Sequence, residues 1–174
     1  MAIIKLVEKE EAQGKVAEIY DAMLNSMGFI PEAFKLFSPS PYLLETQVGT
    51  LQHFSRHENL SGKLLALIRL LVSEIESCKY CIDTNTGILF QYGILPEQLS
   101  VIKNDPAKAP LDEKELALLL FVLKVVKNPL ATNQSDVDSL KKLGWDDTEI
   151  LEAAFHGTSQ VGLDRLLNAF KVQR

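Results

Sequence analysis

The chain has 174 residues, of which 47% are hydrophobic and 24% charged, with nine glycines and seven prolines. That balance excludes a disordered or low-complexity chain, and so few turn-formers favour long helices around one core. A net charge of −5 argues against a basic surface for nucleic acid, and two cysteines exclude a disulfide-rich scaffold or a zinc site made of Cys alone.

In chain order, residues 2–7 are too few to assign beyond a short arm. From Ala12 to Met27, Val16, Ile19, Tyr20, Met23, Leu24 and Met27 recur at helical spacing, and Gly28 fits the stop. Ile30 to Phe37 is a short apolar piece closed by SPSP, whose prolines oppose a continued helix. Pro41 can open the next helix, with Leu43, Leu44, Val48, Leu51 and Phe54 as its buried stripe. Ser61 reads as the N-cap of a helix over Gly62–Ser77 with a wide apolar face. A further helical pattern runs from about Cys78 through Tyr92 to Gly93.

Asp112 and Glu115 are spaced as a capping box before ALLLFVLKVV, and Asn128-Pro129 ends that helix. A short helix then ends at Gly144. Asp146 and Glu149 repeat the box before a last helix that reaches Phe170. The pattern predicts an all-α fold of about six to nine helices. It is expected to form a single domain over 1–174, with an N-terminal helical segment 1–60 and a Cys-x-x-Cys-bearing core 61–174. The apolar start of the chain is too short for a signal peptide. No apolar stretch reaches about 18 residues without charge, since even LLALIRLLV is broken by Arg69. A cytoplasmic location, with reduced thiols, is therefore expected, with no membrane or nucleic-acid partner.

The sharpest chemical feature is ESCKYCIDTN, which places Cys78 and Cys81 on one face near a helix start, within reach of each other for a disulfide. Helix-start amides favour a thiolate, and Lys79 adds a nearby positive charge. Such a pair can attack a peroxide oxygen, pass through a sulfenic acid and resolve it as an intramolecular disulfide. The competing reading is two buried cysteines brought together by chance. His53 and His57, spaced i, i+4, could join the two cysteines in a zinc set, but the separation of the pairs is not that of a common finger. Surface histidines on an amphipathic helix are the preferred reading, so no metal and no cofactor is expected.

The sequence resembles the carboxymuconolactone decarboxylase / alkylhydroperoxidase D (AhpD)-like family, particularly its peroxidase-related branch. AQGKVAEIYDAMLNSMGFIPEAFKLFSPSPYLLE is similar to the family's N-terminal segment, and LSGKLLALIRLLVSEIESCKYCIDTNTGILFQYGI to the unit around its redox motif. LDEKELALLLF and LKKLGWDDTEILEAAFH are similar to its two following helices. The resemblance implies an AhpD-like helical fold, a homo-trimer or homo-hexamer, and a thiol-dependent peroxidase supplied with electrons by an external thiol reductant. It makes Cys81 the peroxide-attacking thiol and Cys78 the resolving one.

The family's proton relay is a Glu twelve residues before the first Cys and a His four after the second. Here those positions hold Ala66 and Asn85. Asn85 can donate and accept hydrogen bonds but cannot take up a proton near neutral pH. Because general-base help is worth about 10²–10⁴-fold, the expected peroxidase is attenuated. Glu74, four residues before Cys78, would share a face with Cys78, Cys81 and Asn85 on an unbroken helix and is the candidate substitute. The competing reading for it is a solvated glutamate on a helix whose register breaks before Cys78. His156, alone among apolar residues of the last helix, reads as a core or interface histidine in preference to a relocated base. Two alternatives stand beside the peroxidase. One is a non-peroxidase helical oligomer whose Cys pair is vestigial or redox-sensing. The other is the lactone-decarboxylating branch, whose chemistry does not need the pair.

Overall fold

The computed structural model of the protein describes residues 2–172. Among them are nine α-helices and three short 3-10 turns, with no β-strand. The chain divides into two units, one holding the residues up to His57 together with those from Leu166, the other spanning Glu58–Arg165. The sequence placed a boundary at 60/61 and assigned the whole C-terminal part to the core, whereas here the tail from Leu166 goes with the N-terminal helices.

In the first unit, α1 (Gly14–Met27) ends at Gly28, whose φ of 78° is a left-handed turn that glycine adopts without a Cβ penalty. The short α2 (Glu32–Lys35) and α3 (Pro41–Ser55) follow. The Tyr20 hydroxyl, on a fully buried ring, donates to the Val7 carbonyl at 2.9 Å, and the Val7 amide donates to Ser38 Oγ at 2.8 Å. These bonds hold the N-terminal arm in place. The Ile3 amide donates to the Phe170 carbonyl at 3.1 Å, which explains why the tail belongs with this unit.

The second unit is built around α4 (Gly62–Glu76), against which α5 (Lys79–Gln91) and α7 (Glu113–Lys127) pack. Ser61 caps α4 as its sequence predicts, accepting from the Leu64 amide at 3.1 Å. Leu64, Leu65, Ala66, Leu67, Ile68, Leu70, Leu71, Val72 and Ser73 are all buried, so α4 is a central helix covered on most of its circumference. Arg69 is the one charged residue inside that run. Between α5 and α7 lies α6 (Pro96–Asn104), which the sequence pattern did not reveal. It buries only Leu99 and Ile102, too few apolar positions to show a period.

A small α8 (Gln134–Lys142) precedes α9 (Asp147–Ala169). The box that opens α9 is reciprocal: the Glu149 amide donates to Asp146 Oδ1 at 2.8 Å, and the Asp146 amide to Glu149 Oε2 at 2.9 Å. Gly157 on α9 lets the helix come close to α4 and α7, because a Cβ there would collide with Val122 and touch Ile68. Among the described residues, no helix is long and apolar enough to cross a membrane.

Candidate active site

The Cys-x-x-Cys motif sits where α4 turns into α5. Ser77 ends α4 in the left-handed region at φ 54°, so the helix register breaks there, and Cys78 is the N-cap of α5. Cys81 and Asn85 follow on the buried stripe of α5, with Leu89 one turn further on. Both thiols are free and buried, with 1% of Cys78 and 4% of Cys81 exposed.

The break at Ser77 decides the fate of Glu74. It does not share a helix with the cysteines, and its carboxylate forms an ion pair with Lys103 of α6 at 2.5 Å. Lys79 is equally diverted, its side chain 86% exposed and bonded to Asp83 at 2.7 Å. The groups nominated to deprotonate the pair or stabilise its charge thus face elsewhere, apart from the helix start itself.

A different carboxyl meets the cysteines. A sulfur of Cys78, a sulfur of Cys81 and a carboxyl oxygen of Asp164 on α9 all lie within 4.8 Å of one another, and all three residues are buried. Asp164 has no exposed surface. Its Oδ1 accepts from Gln160 Nε2 at 2.7 Å, and Gln160 in turn donates to Ser73 Oγ on α4 at 3.3 Å. Its Oδ2 has no well-formed hydrogen bond. Next to it, Arg165 grips Glu76 at the end of α4 through two bonds of 2.8 and 3.1 Å, which fixes this turn of α9 beside the motif.

The electrostatics follow from burial and from the pairing. Burial pushes the Asp164 carboxyl above the ordinary range, opposed by hydrogen bonding to Cys81, Gln160, Ser73 and Cys78. Within the pair, the Cys81 thiol serves Cys78 as hydrogen-bond donor, which lowers Cys78 and raises Cys81. Burial and the Asp164 charge raise Cys81 further. The first negative charge of the pair therefore rests on Cys78, at the helix N-cap, where the amide dipoles also favour it.

Asn85 and His156 belong to one chain of hydrogen bonds. Asn85 Nδ2 donates to the Cys81 carbonyl at 2.9 Å, and Asn85 Oδ1 accepts from Arg69 Nε at 2.8 Å. Arg69 Nη1 lies 3.2 Å from His156 Nε2. A guanidinium only donates, so Nε2 accepts and the ring is neutral. Burial and the Arg69 charge push His156 down to about 3, against a hydrogen bond to the Leu65 backbone. His156 thus supports Arg69 and does not face a thiol as its base. His53 and His57 meet edge to face, with ring centroids 5.9 Å apart.

Asp164 was not singled out from the sequence, although a signal for it exists. Ile150, Ala153, Gly157, Gln160 and Asp164 recur at steps of three and four along α9, and all are buried. A glutamine and an aspartate on an otherwise apolar stripe mark a polar site inside a core.

No family model and no curated protein matches the sequence. Solved structures do share its fold. A peroxidase-related protein from Silicibacter sp. TM1040 superposes with a TM-score of 0.80 at 18% identity, covering 98% of this chain and 87% of the other. A peroxidase-related protein from Ralstonia eutropha JMP134, described as an alkylhydroperoxidase AhpD core, gives 0.83 at 21% identity over 99% and 91%. The debrominase Bmp8, in complex with 2,3,4-tribromopyrrole, gives 0.76 at 17% identity over 99% and 93%. The chain thus has the AhpD-like fold that its sequence resemblance implies. Because a debrominase shares that fold, the reaction has to be argued from the site.

Proposed function

We propose that this chain, with its AhpD-like fold, is a thiol-dependent peroxidase in which the Cys78–Cys81 pair reduces a hydroperoxide and Asp164 handles the proton. The observation that carries this is the buried cluster of two thiols and one carboxyl within 4.8 Å. A carboxyl raised by burial is a stronger base than a solvated one, so it can take up what the missing histidine would have accepted.

The Asp164 carboxylate accepts the Cys81 proton, and the thiolate attacks the terminal peroxide oxygen. The O–O bond breaks, the alkoxide leaves with the proton from Asp164 as an alcohol, and Cys81 becomes a sulfenic acid. The Cys78 sulfur then displaces hydroxide from Cys81, its own proton completing a water molecule, and the disulfide closes. Two thiols become one disulfide, the hydroperoxide becomes alcohol and water, and an external dithiol returns the pair to its reduced form.

The resting charge on Cys78 supports the converse assignment, with Cys78 attacking and Cys81 resolving. Single serine variants separate the two. After one equivalent of hydroperoxide, Cys78→Ser should hold a sulfenic acid at Cys81 that dimedone traps, while Cys81→Ser should consume no peroxide. The opposite result exchanges the roles. If the wild type loses no thiols to hydroperoxide, or debrominates tribromopyrrole while leaving hydroperoxide untouched, the peroxidase reading fails. We also propose, from the family resemblance, that the protein works as a homo-oligomer.

A further inference from the structure

We propose that Arg69 is an anion-docking residue beside Cys81, and that the hydroperoxide taken by this site carries a carboxylate. The inference rests on the peroxidase reading for the word hydroperoxide, but not for the anion site.

Arg69 projects from α4, the most buried helix of its unit, and its side chain is itself only partly accessible. A cation in such a place is ordinarily matched by a carboxylate, because an unpaired buried charge is costly. Among the described residues, Arg69 forms no ion pair with a carboxylate. Nε donates to the Asn85 amide oxygen and Nη1 to the neutral ring of His156, and neither acceptor carries charge. Glu74 and Glu76, the acidic residues at the end of the same helix, are committed to Lys103 and Arg165.

One nitrogen of the guanidinium stays open. Arg69 Nη2 makes no hydrogen bond, yet it is not among the buried polar atoms sealed from solvent without a partner. It therefore keeps contact with water. The free N–H groups of Nη2, on a guanidinium held in place by Asn85 and His156, can donate charge-assisted hydrogen bonds to a carboxylate. Burial lowers Arg69 to about 10, so it is still charged at neutral pH.

The position is next to the chemistry. Arg69 holds Asn85, and Asn85 donates to the Cys81 carbonyl at 2.9 Å, so the guanidinium stands two hydrogen bonds from the backbone of that cysteine. An acid group docked on Arg69 would keep the rest of a substrate close to Cys81, with its charge neutralised in a site that otherwise disfavours it.

Alkylation tests the site without needing turnover. The rate of carboxymethylation of Cys81 by iodoacetate, divided by the rate with iodoacetamide, cancels the thiolate fraction and leaves the effect of the reagent's charge. The expected ratio for the wild type exceeds that of Arg69→Met by roughly ten- to a hundredfold, the worth of a charge-assisted hydrogen bond. Arg69→Lys should retain part of the preference. An arginine that only positions Asn85 and His156 would change both rates together and leave the ratio fixed, which overturns the proposal.

Should Arg69→Met fail to fold, protection of the wild type provides the second measurement. Butyrate should slow alkylation by iodoacetamide and butyramide should not, and equal effects overturn the anion site. Turnover of a carboxylated and a neutral alkyl hydroperoxide then tests the substrate class. Loss of turnover on both, with the alkylation ratio intact, refutes the peroxidase reading alone. Turnover with no preference for the acid refutes the substrate class.

Discussion

Asp164 is tied to Gln160 and has a carboxyl oxygen within 4.8 Å of both thiols, so its protonation and theirs are a shared property of the cluster. Replacing it with Asn keeps the shape and the reach to Gln160 but removes the proton acceptor. Peroxide consumption by Asp164→Asn should fall about 10²–10⁴-fold, measured under single turnover, while the helical circular dichroism stays unchanged. His156 offers a cleaner pH test. Its folded-state value of about 3 lies below the ordinary 6.5, so the native state resists charging it. The stability linked to the neutral ring is complete above pH 6.5 and is lost as pH falls toward 3. An NMR titration should find the His156 ring neutral at pH 5, and His156→Gln should flatten the acid limb of urea denaturation. Asp164 has the opposite sign: its raised value favours the native state in acid and costs stability as pH rises above 3.8. The two slopes therefore have to be separated by variant.

At the level of elements, two features bring the site together. The left-handed Ser77 breaks the register between α4 and α5, which makes Cys78 an N-cap and moves Glu74 out of line with the thiols. The close approach at Gly157 lets α9 lie against Val122 and Ile68, so that Gln160 and Asp164 reach Ser73 and the cysteines farther along the same face. A methyl group at that contact has no room. Gly157→Ala should cost about 1–3 kcal/mol in urea denaturation through overpacking. It should also slow peroxide reduction more than a surface Gly162→Ala, whose Cβ would meet nothing within 4 Å.

For the whole molecule, the proposed self-association has a correlate on α9. Leu151 and Phe155, four residues apart on α9, are 69% and 51% exposed, an apolar pair on the side of the helix away from its buried stripe. Light scattering should return a mass above that of one chain, and Phe155→Glu should lower it. A monomer in the wild type at micromolar concentration would contradict the proposal.

Helix identity was legible because its signals are local. Ser61, Asp112 and Asp146 each cap the helix that follows, using side chains only three residues from the amides they bind. The Cys pair was legible for the same reason, since a spacing of three within one helical turn needs no tertiary information. α6 escaped because two buried residues do not make a period. Which acid serves the thiols could not be read in the same way. Glu74 lies near them in sequence, but a single left-handed residue turns it away. Asp164 lies about 80 residues downstream and arrives only because a glycine lets α9 pack closely. The sequence by itself therefore determined an all-helical chain with two cysteines three residues apart at a helix start. Tertiary packing alone decided the partners of that pair, because burial and long-range contact, not spacing, set where a proton or an anion can sit.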